Sequence, residues 1–212
     1  MIASLIAVNM ETMRMDGRGR ITRDALYSLE DYAKIRPEFR ARVMAHKKGR
    51  QIALGGHVRL LFEDRLTIWY QIQEMLRAER LFEEEDIQEE LDAYNPLIPD
   101  GSNWKATMLL EYEDPEERQQ ATSTLLGIES QVWTQIGSGS KIYAIADEDL
   151  PRATPTRTST VHFLRFELPL EDAMRARAMD PVSFGIGHPL YQTGPVLALP
   201  SLLQQLAKDL ES

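Results

Sequence analysis

The spacing of apolar residues changes along the chain, and each change predicts an element. In "QIALGGHVRLLFED", Ile52 and Leu54 alternate with polar neighbours, as do Val58, Leu60 and Phe62, with Gly55-Gly56 between the two runs. Period two on both sides of a glycine pair predicts a β-hairpin, because successive strand side chains point to opposite faces and glycine accepts a tight turn. The next segment, "RLTIWYQIQEMLRAERLF", lacks Gly and Pro and follows a helical period. Ile68, Trp69, Ile72, Met75, Leu76 and Phe82 cover more than half of its circumference, which predicts burial on most sides. Tyr70, Gln73, Glu74, Arg77 and Arg80 fall in the remaining stripe, which faces either solvent or a polar cavity.

Helical signals begin after Ile21, with Thr22 and Ser28 as candidate N-caps. Pro37 suits the first turn of a second helix, "RPEFRARVMAHKKG", which Gly49 ends. "EEEDIQEELDAY" predicts an acidic helix stopped at Asn95-Pro96, since a residue before proline avoids the α region. Strand "KATMLLEY" is followed by a helix with Asp114 as cap, Pro115 in its first turn and Gly127 at its end. Strands "QVWTQI", "KIYAIA", "VHFLRFEL" and "VSFGIG" follow, interleaved with helices "LEDAMRARAM" and "LPSLLQQLAKDL". Mixing without strict βαβ alternation predicts an α+β fold, a largely antiparallel sheet packed with several helices. Residues 1–20 read as an N-terminal extension, a loosely docked arm, and residues 21–212 as a single α+β domain. The Pro/Thr-rich loop at 150–159 is the alternative place for a boundary.

Charge and composition narrow the function classes. The 24 Lys and Arg against 33 Asp and Glu give a net charge of −9, which disfavours general nucleic-acid binding. With no cysteine, the chain has no disulfide, thiolate or iron–sulfur chemistry of its own. No apolar run approaches the roughly 20 residues a membrane helix needs. "MIASLIAVNM" lacks the basic start and cleavage site of a signal peptide, so a cytoplasmic protein is expected.

Candidate chemistry gathers in three places. Phe39, Val43 and His46 line one face of the helix after Pro37, flanked by Arg36, Arg40 and Lys47. This local cationic excess suits a carboxylate or phosphate, which arginine grips with two parallel hydrogen bonds, or else pairs with surface glutamates. The second place is the stripe Tyr70, Gln73, Glu74 and Arg77. The third is the loop "DAYNPLIPDGSNWKAT", stiffened by Pro96 and Pro99, where Asn95 offers a short polar group and Trp104 a flat apolar wall. That loop is expected to stand beside the stripe as a preformed wall. His162 shares a strand face with Leu164 and Phe166 and points inward. No pair of histidines has metal-ligand spacing, and phosphate-loop, dinucleotide and nucleophile-elbow motifs are absent. No metal or cofactor is therefore expected.

"ITRDAL", "IRPEFRARVMAHKK", "LLFEDRLTIWYQIQEMLRAER", "EELDAYNPLIPDGSNWKATM" and "VHFLRFEL" together resemble the bacterial family catalogued as domain of unknown function 3501, over about Ile21 to Tyr191. The resemblance implies a soluble bacterial protein whose gene lies near those of rubrerythrin-like and iron–sulfur oxidoreductase proteins. It supplies no catalytic residues. It places an acidic residue before the His-Pro near the C-terminus, where this chain has Gly187 before His188. The leading expectation is an accessory or binding protein in redox or peroxide-stress physiology. It would engage a small anionic ligand or a protein partner, with rubrerythrin-like or iron–sulfur oxidoreductase proteins as the partner class. The alternatives are a metal-assisted or acid/base hydrolase using His46 or His162 with Glu74, and a structural subunit of a larger assembly.

Overall fold

The computed structural model describes residue 16 and residues 19–211, so the expected extension at 1–20 falls almost wholly outside the described residues. The chain forms two compact units, Met1–Lys48 with Glu63–Ile98, and Gly49–Phe62 with Pro99–Ser212. A single domain over 21–212 was expected; the hairpin at 51–62 separates the first two helices of the first unit in sequence while belonging to the second unit.

The first unit holds α1 (Leu29–Lys48), α2 (Arg65–Glu79) and α3 (Glu84–Tyr94), with 3-10 turns at Arg23–Ala25 and Asn95–Leu97. Pro37 does not open a second helix: it lies inside one continuous α1. The lost hydrogen bond is offset because Tyr32, Phe39 and Val43, all on one face, are buried together. Ser28 is the effective start, its hydroxyl accepting from the Asp31 amide at 3.1 Å. At the start of α2, Asp64 accepts from the Thr67 amide at 2.9 Å and Thr67 accepts from the Asp64 amide at 2.9 Å. Trp69 centres the core, with the rings of Tyr27, Tyr32 and Phe39 edge-on to it at 5.7, 6.1 and 4.8 Å. α2 stops earlier than its pattern suggested. Arg80 takes the left-handed conformation at φ 60°, and Phe82 leaves the helix and is 70% exposed.

The second unit contains nine strands in two sheets, all pairings antiparallel. One sheet joins β1 (Gln51–Leu54), β2 (Val58–Phe62), β3 (Asn103–Leu110), β7 (Val161–Glu167) and β6 (Ile145–Ala146) in that order. The other joins β5 (Ile142–Tyr143), β4 (Val132–Ile136), β8 (Val182–His188) and β9 (Tyr191–Leu197). Helices α4 (Pro115–Thr124), α5 (Leu170–Arg177) and α6 (Pro200–Lys208) complete it. The α+β class stands, with two sheets where one was expected. "KIYAIA" divides at the buried Ala144, its first half pairing with β4 and its second with β7. The core lies between the sheets, where Phe184 of β8 meets Phe62, Phe166 and Trp104 at centroid distances of 5.1, 5.9 and 6.0 Å. β9 was not foreseen, because Gly194-Pro195 and a bulge interrupt its alternation. Gly185 is required opposite Trp133, since a Cβ there would sit 2.2 Å from the indole.

Candidate functional site: a basic patch on the helical unit

Residues 32, 36 and 40 follow each other at spacing four along one stripe of α1, and 70, 74 and 77 along one stripe of α2. Helix packing brings these stripes together. Glu74 stands at the centre. Its Oε1 accepts from the Tyr32 hydroxyl at 2.7 Å and from Arg36 Nε at 2.8 Å, and its Oε2 accepts from a terminal nitrogen of Arg36 at 2.8 Å. This is a two-pronged guanidinium–carboxylate pair, geometrically the strongest form of the contact. Arg36 holds the Glu74 carboxyl below the usual carboxylate range, helped by the Tyr32 hydroxyl, although partial burial opposes the shift. Burial and the Glu74 charge push the Tyr32 phenol up, so it remains a neutral donor.

The other cations surround this pair. Arg40 lies close enough to Tyr70 for its charge to act on the phenol, which is raised chiefly by burial and then by the Glu74 charge. The Lys47 ammonium lies 5.9 Å from the centre of the Tyr70 ring. Arg77 reaches Glu74 only at 3.9 Å and is 44% exposed. Among the described residues, no carboxylate forms an ion pair with Arg40 or Lys47. Among the described residues, Glu74 is the one carboxylate that ion-pairs with any of the four cations Arg36, Arg40, Lys47 and Arg77, a formal sum of +3 in a chain of −9.

Other candidates are spent on structure. Gln73 is fully buried, and its Oε1 accepts from the Tyr27 amide at 2.6 Å. Asn95 accepts from the Ile21 amide at 2.8 Å and donates to the Ile21 carbonyl at 3.0 Å. Both clamp the irregular segment before α1. His46 lies 2.5 Å from Asp64, the cap of α2. Trp104 is not a ligand wall: it is wholly buried in the core of the second unit, donating to the Leu206 carbonyl at 2.9 Å. The sheet pattern at 103–110 already called for an inward residue there, and the aromatic volume satisfied it. The turn before it is braced internally, Asp100 accepting from the Ser102 amide, the Ser102 hydroxyl and Asn103.

His162 is fully buried in the second unit, as its strand face predicted. Its Nδ1 lies 2.6 Å from Asp147, and its Nε2 lies 2.9 Å from the Thr158 hydroxyl and 3.1 Å from the Ser159 carbonyl. Thr158 donates onward to Glu129 at 3.2 Å. Carboxylate, imidazole and hydroxyl have the order of a nucleophile relay, but the Thr158 hydroxyl gives its one proton to Glu129, and both Thr158 and His162 are buried away from any substrate. Asp147 adopts φ 50°, a strained conformation fixed by its double pairing with Phe163. The cluster is a buried brace. Glu74, His46 and His162 each serve different partners, so the geometry assembles no catalytic group from them. Sequence reasoning missed Tyr32, legible only as a spacing of four before Arg36, and missed Asp147, Thr158 and Glu129, for which no local signal exists.

Among the described residues, no group of three or more His, Cys, Asp or Glu side chains is placed to hold a metal ion. Nor, among them, is any helix long and apolar enough to cross a membrane.

These features define an α+β protein with a helical unit that carries a basic patch and a two-sheet unit with a closed core. The family model described as "Protein of unknown function (DUF3501)" matches residues 20–210, and the chain belongs to that family. It is similar to a solved structure, described as a novel protein of unknown function from Burkholderia pseudomallei, at 51% identity, covering 89% of this chain and 98% of that one with a TM-score of 0.86. No curated protein matches the chain.

Proposed function

We propose that the protein is a binding or accessory protein that docks a compact anionic group, a phosphate or carboxylate of a small ligand or of a partner protein, on the patch formed by Arg40, Lys47 and Arg77. The observation that carries this reading is the un-neutralised charge around Tyr70 and Glu74. Arg36 is already engaged by Glu74, so it positions the patch rather than binding. Acting through binding also suits a chain without cysteine, and rubrerythrin-like or iron–sulfur oxidoreductase proteins are the partner class to test first.

The test is calorimetric titration of pyrophosphate and of citrate into the full chain at low ionic strength, alongside a variant carrying Arg40→Ala, Lys47→Ala and Arg77→Ala. Saturable binding weakened at least about tenfold in the triple variant supports the reading. Absence of binding by both probes, or equal binding by the variant, overturns it. Purified candidate partners retained by the native chain but not by the triple variant would place the anion on a protein.

A further inference from the structure

A cavity of about 300 Å³ opens elsewhere on the helical unit, with Arg23, Tyr27, Glu30, Leu76, Phe82 and Ile87 in its lining. At liquid density this is room for about ten waters, the size of a small organic molecule. None of the lining residues belongs to the basic patch.

Three properties distinguish the cavity from a surface dent. First, one wall is fixed. The segment 21–28 is irregular apart from one 3-10 turn, yet the half-buried Asn95 and the buried Trp69 and Gln73 pin it at three points: Asn95 holds Ile21, Trp69 donates to the Ala25 carbonyl at 2.9 Å, and Gln73 holds the Tyr27 amide. A wall held by its surroundings loses little freedom when a ligand enters. Second, the lining is apolar in its body. Leu76 and Ile87 are buried, while Phe82 stays 70% exposed despite sitting where a residue before a helix cap would staple to Ile87, its partner four positions into α3. An exposed phenyl beside an apolar hollow gains from being covered. Third, the lining carries both signs of charge. Arg23 and Glu30 are exposed, and among the described residues neither makes an ion pair or side-chain hydrogen bond, although Lys34 feels the Glu30 charge.

We infer that this cavity binds a small zwitterion with an apolar body, of the class of the free aromatic and large aliphatic amino acids. The ligand carboxylate meets Arg23, its ammonium meets Glu30, and its side chain lies against Leu76, Ile87 and the Phe82 ring. A simple anion would be repelled by Glu30 and a simple cation by Arg23, so charge complementarity selects the molecule that has both.

Binding is measured by protein-observed NMR titration of the full chain with phenylalanine, leucine, phenylacetate, phenethylamine and glycine. Phenylalanine or leucine is expected to saturate below about 10 mM and shift resonances of the cavity residues, with the other three at least about tenfold weaker. Arg23→Gln and Glu30→Gln each are expected to weaken amino-acid binding about tenfold or more, and Phe82→Ala to weaken it with an unchanged fold, since all three side chains are exposed. No saturation by either amino acid, phenylacetate or phenethylamine binding as tightly as phenylalanine, or indifference to both charge variants would overturn the inference.

Discussion

Replacing Glu74 by Gln should move stability and anion affinity in opposite directions, which no simple loss of structure would do. The carboxylate accepts from the buried Tyr32 hydroxyl and makes two bonds to Arg36, whose side chain is 31% exposed against 20% for Glu74. A hydrogen bond to a charged acceptor contributes about 1.5–3 kcal/mol, and a partly exposed ion pair about 0.2–1 kcal/mol. Glutamine keeps one acceptor oxygen, so a net loss of about 2 kcal/mol is expected near neutral pH. The pH dependence has a definite sign. Arg36 and Tyr32 hold the folded carboxyl below its ordinary value, so its contribution is complete above the unfolded pKa of about 4.3 and disappears as pH falls through the folded value. The gap between native and Glu74→Gln proteins in urea unfolding should be constant between about pH 6 and 8, which lies above that titration, and should close in acid. Meanwhile the local charge rises by one. At about 7 Å in water a pair of unit charges interacts by about 0.6 kcal/mol, so pyrophosphate, which carries more than one negative charge, should bind at least about threefold more tightly. A variant of unchanged stability, a gap that widens in acid, or weakened pyrophosphate binding would each refute the reasoning.

Three further substitutions probe the framework. His162→Leu leaves Asp147 Oδ2 and the Thr158 hydroxyl without their imidazole partner in a largely buried site and should cost about 3 kcal/mol or more in urea unfolding; a change under about 0.5 kcal/mol would remove the structural role. Gly185→Ala forces a methyl against the Trp133 indole and should lower stability by about 1–3 kcal/mol in thermal unfolding, with altered Trp133 fluorescence. Asn95→Ala removes both bonds to Ile21 and should cost about 1–3 kcal/mol, with faster hydrogen exchange at the Ile21 amide while α4 exchange is unchanged.

Local patterns carried the elements but not their assembly. Alternation marked both arms of the 51–62 hairpin, and Asp114-Pro115 marked the start of α4, because each depends on neighbours in sequence. Pro37 misled, since burial of one face of α1 outweighs the proline's local preference. β9 was hidden because the Gly194-Pro195 pair is tolerated at a sheet edge. Within the site, Arg36, Arg40, Lys47, Tyr70, Glu74 and Arg77 were legible as two helical stripes. Gln73 lies on the same stripe as Glu74, yet one binds buried backbone and the other a charged pair. Helical spacing sets direction only; the element that packs against each position decides its use. Trp104 stands at the junction of loop and strand, where the polar residues immediately upstream mask the strand period that buries it.

The sign of the patch against the sign of the chain constrains what can bind there. A distant anion meets a molecule of charge −9 and is repelled; the attraction of +3 is felt only within about one Debye length, about 8 Å at physiological salt. Capture therefore depends on short contacts rather than long-range steering, and the ligand's charge must come within a few ångströms of the Arg40, Lys47 or Arg77 cations. Added salt screens the repulsion as well as the attraction. Affinity should then fall with ionic strength less steeply than for a basic protein making the same number of contacts, while the association rate should rise at first as the long-range barrier is removed. An association rate that only falls as salt is added would mean that the anion is steered by a wider positive field, and so lands somewhere other than this patch.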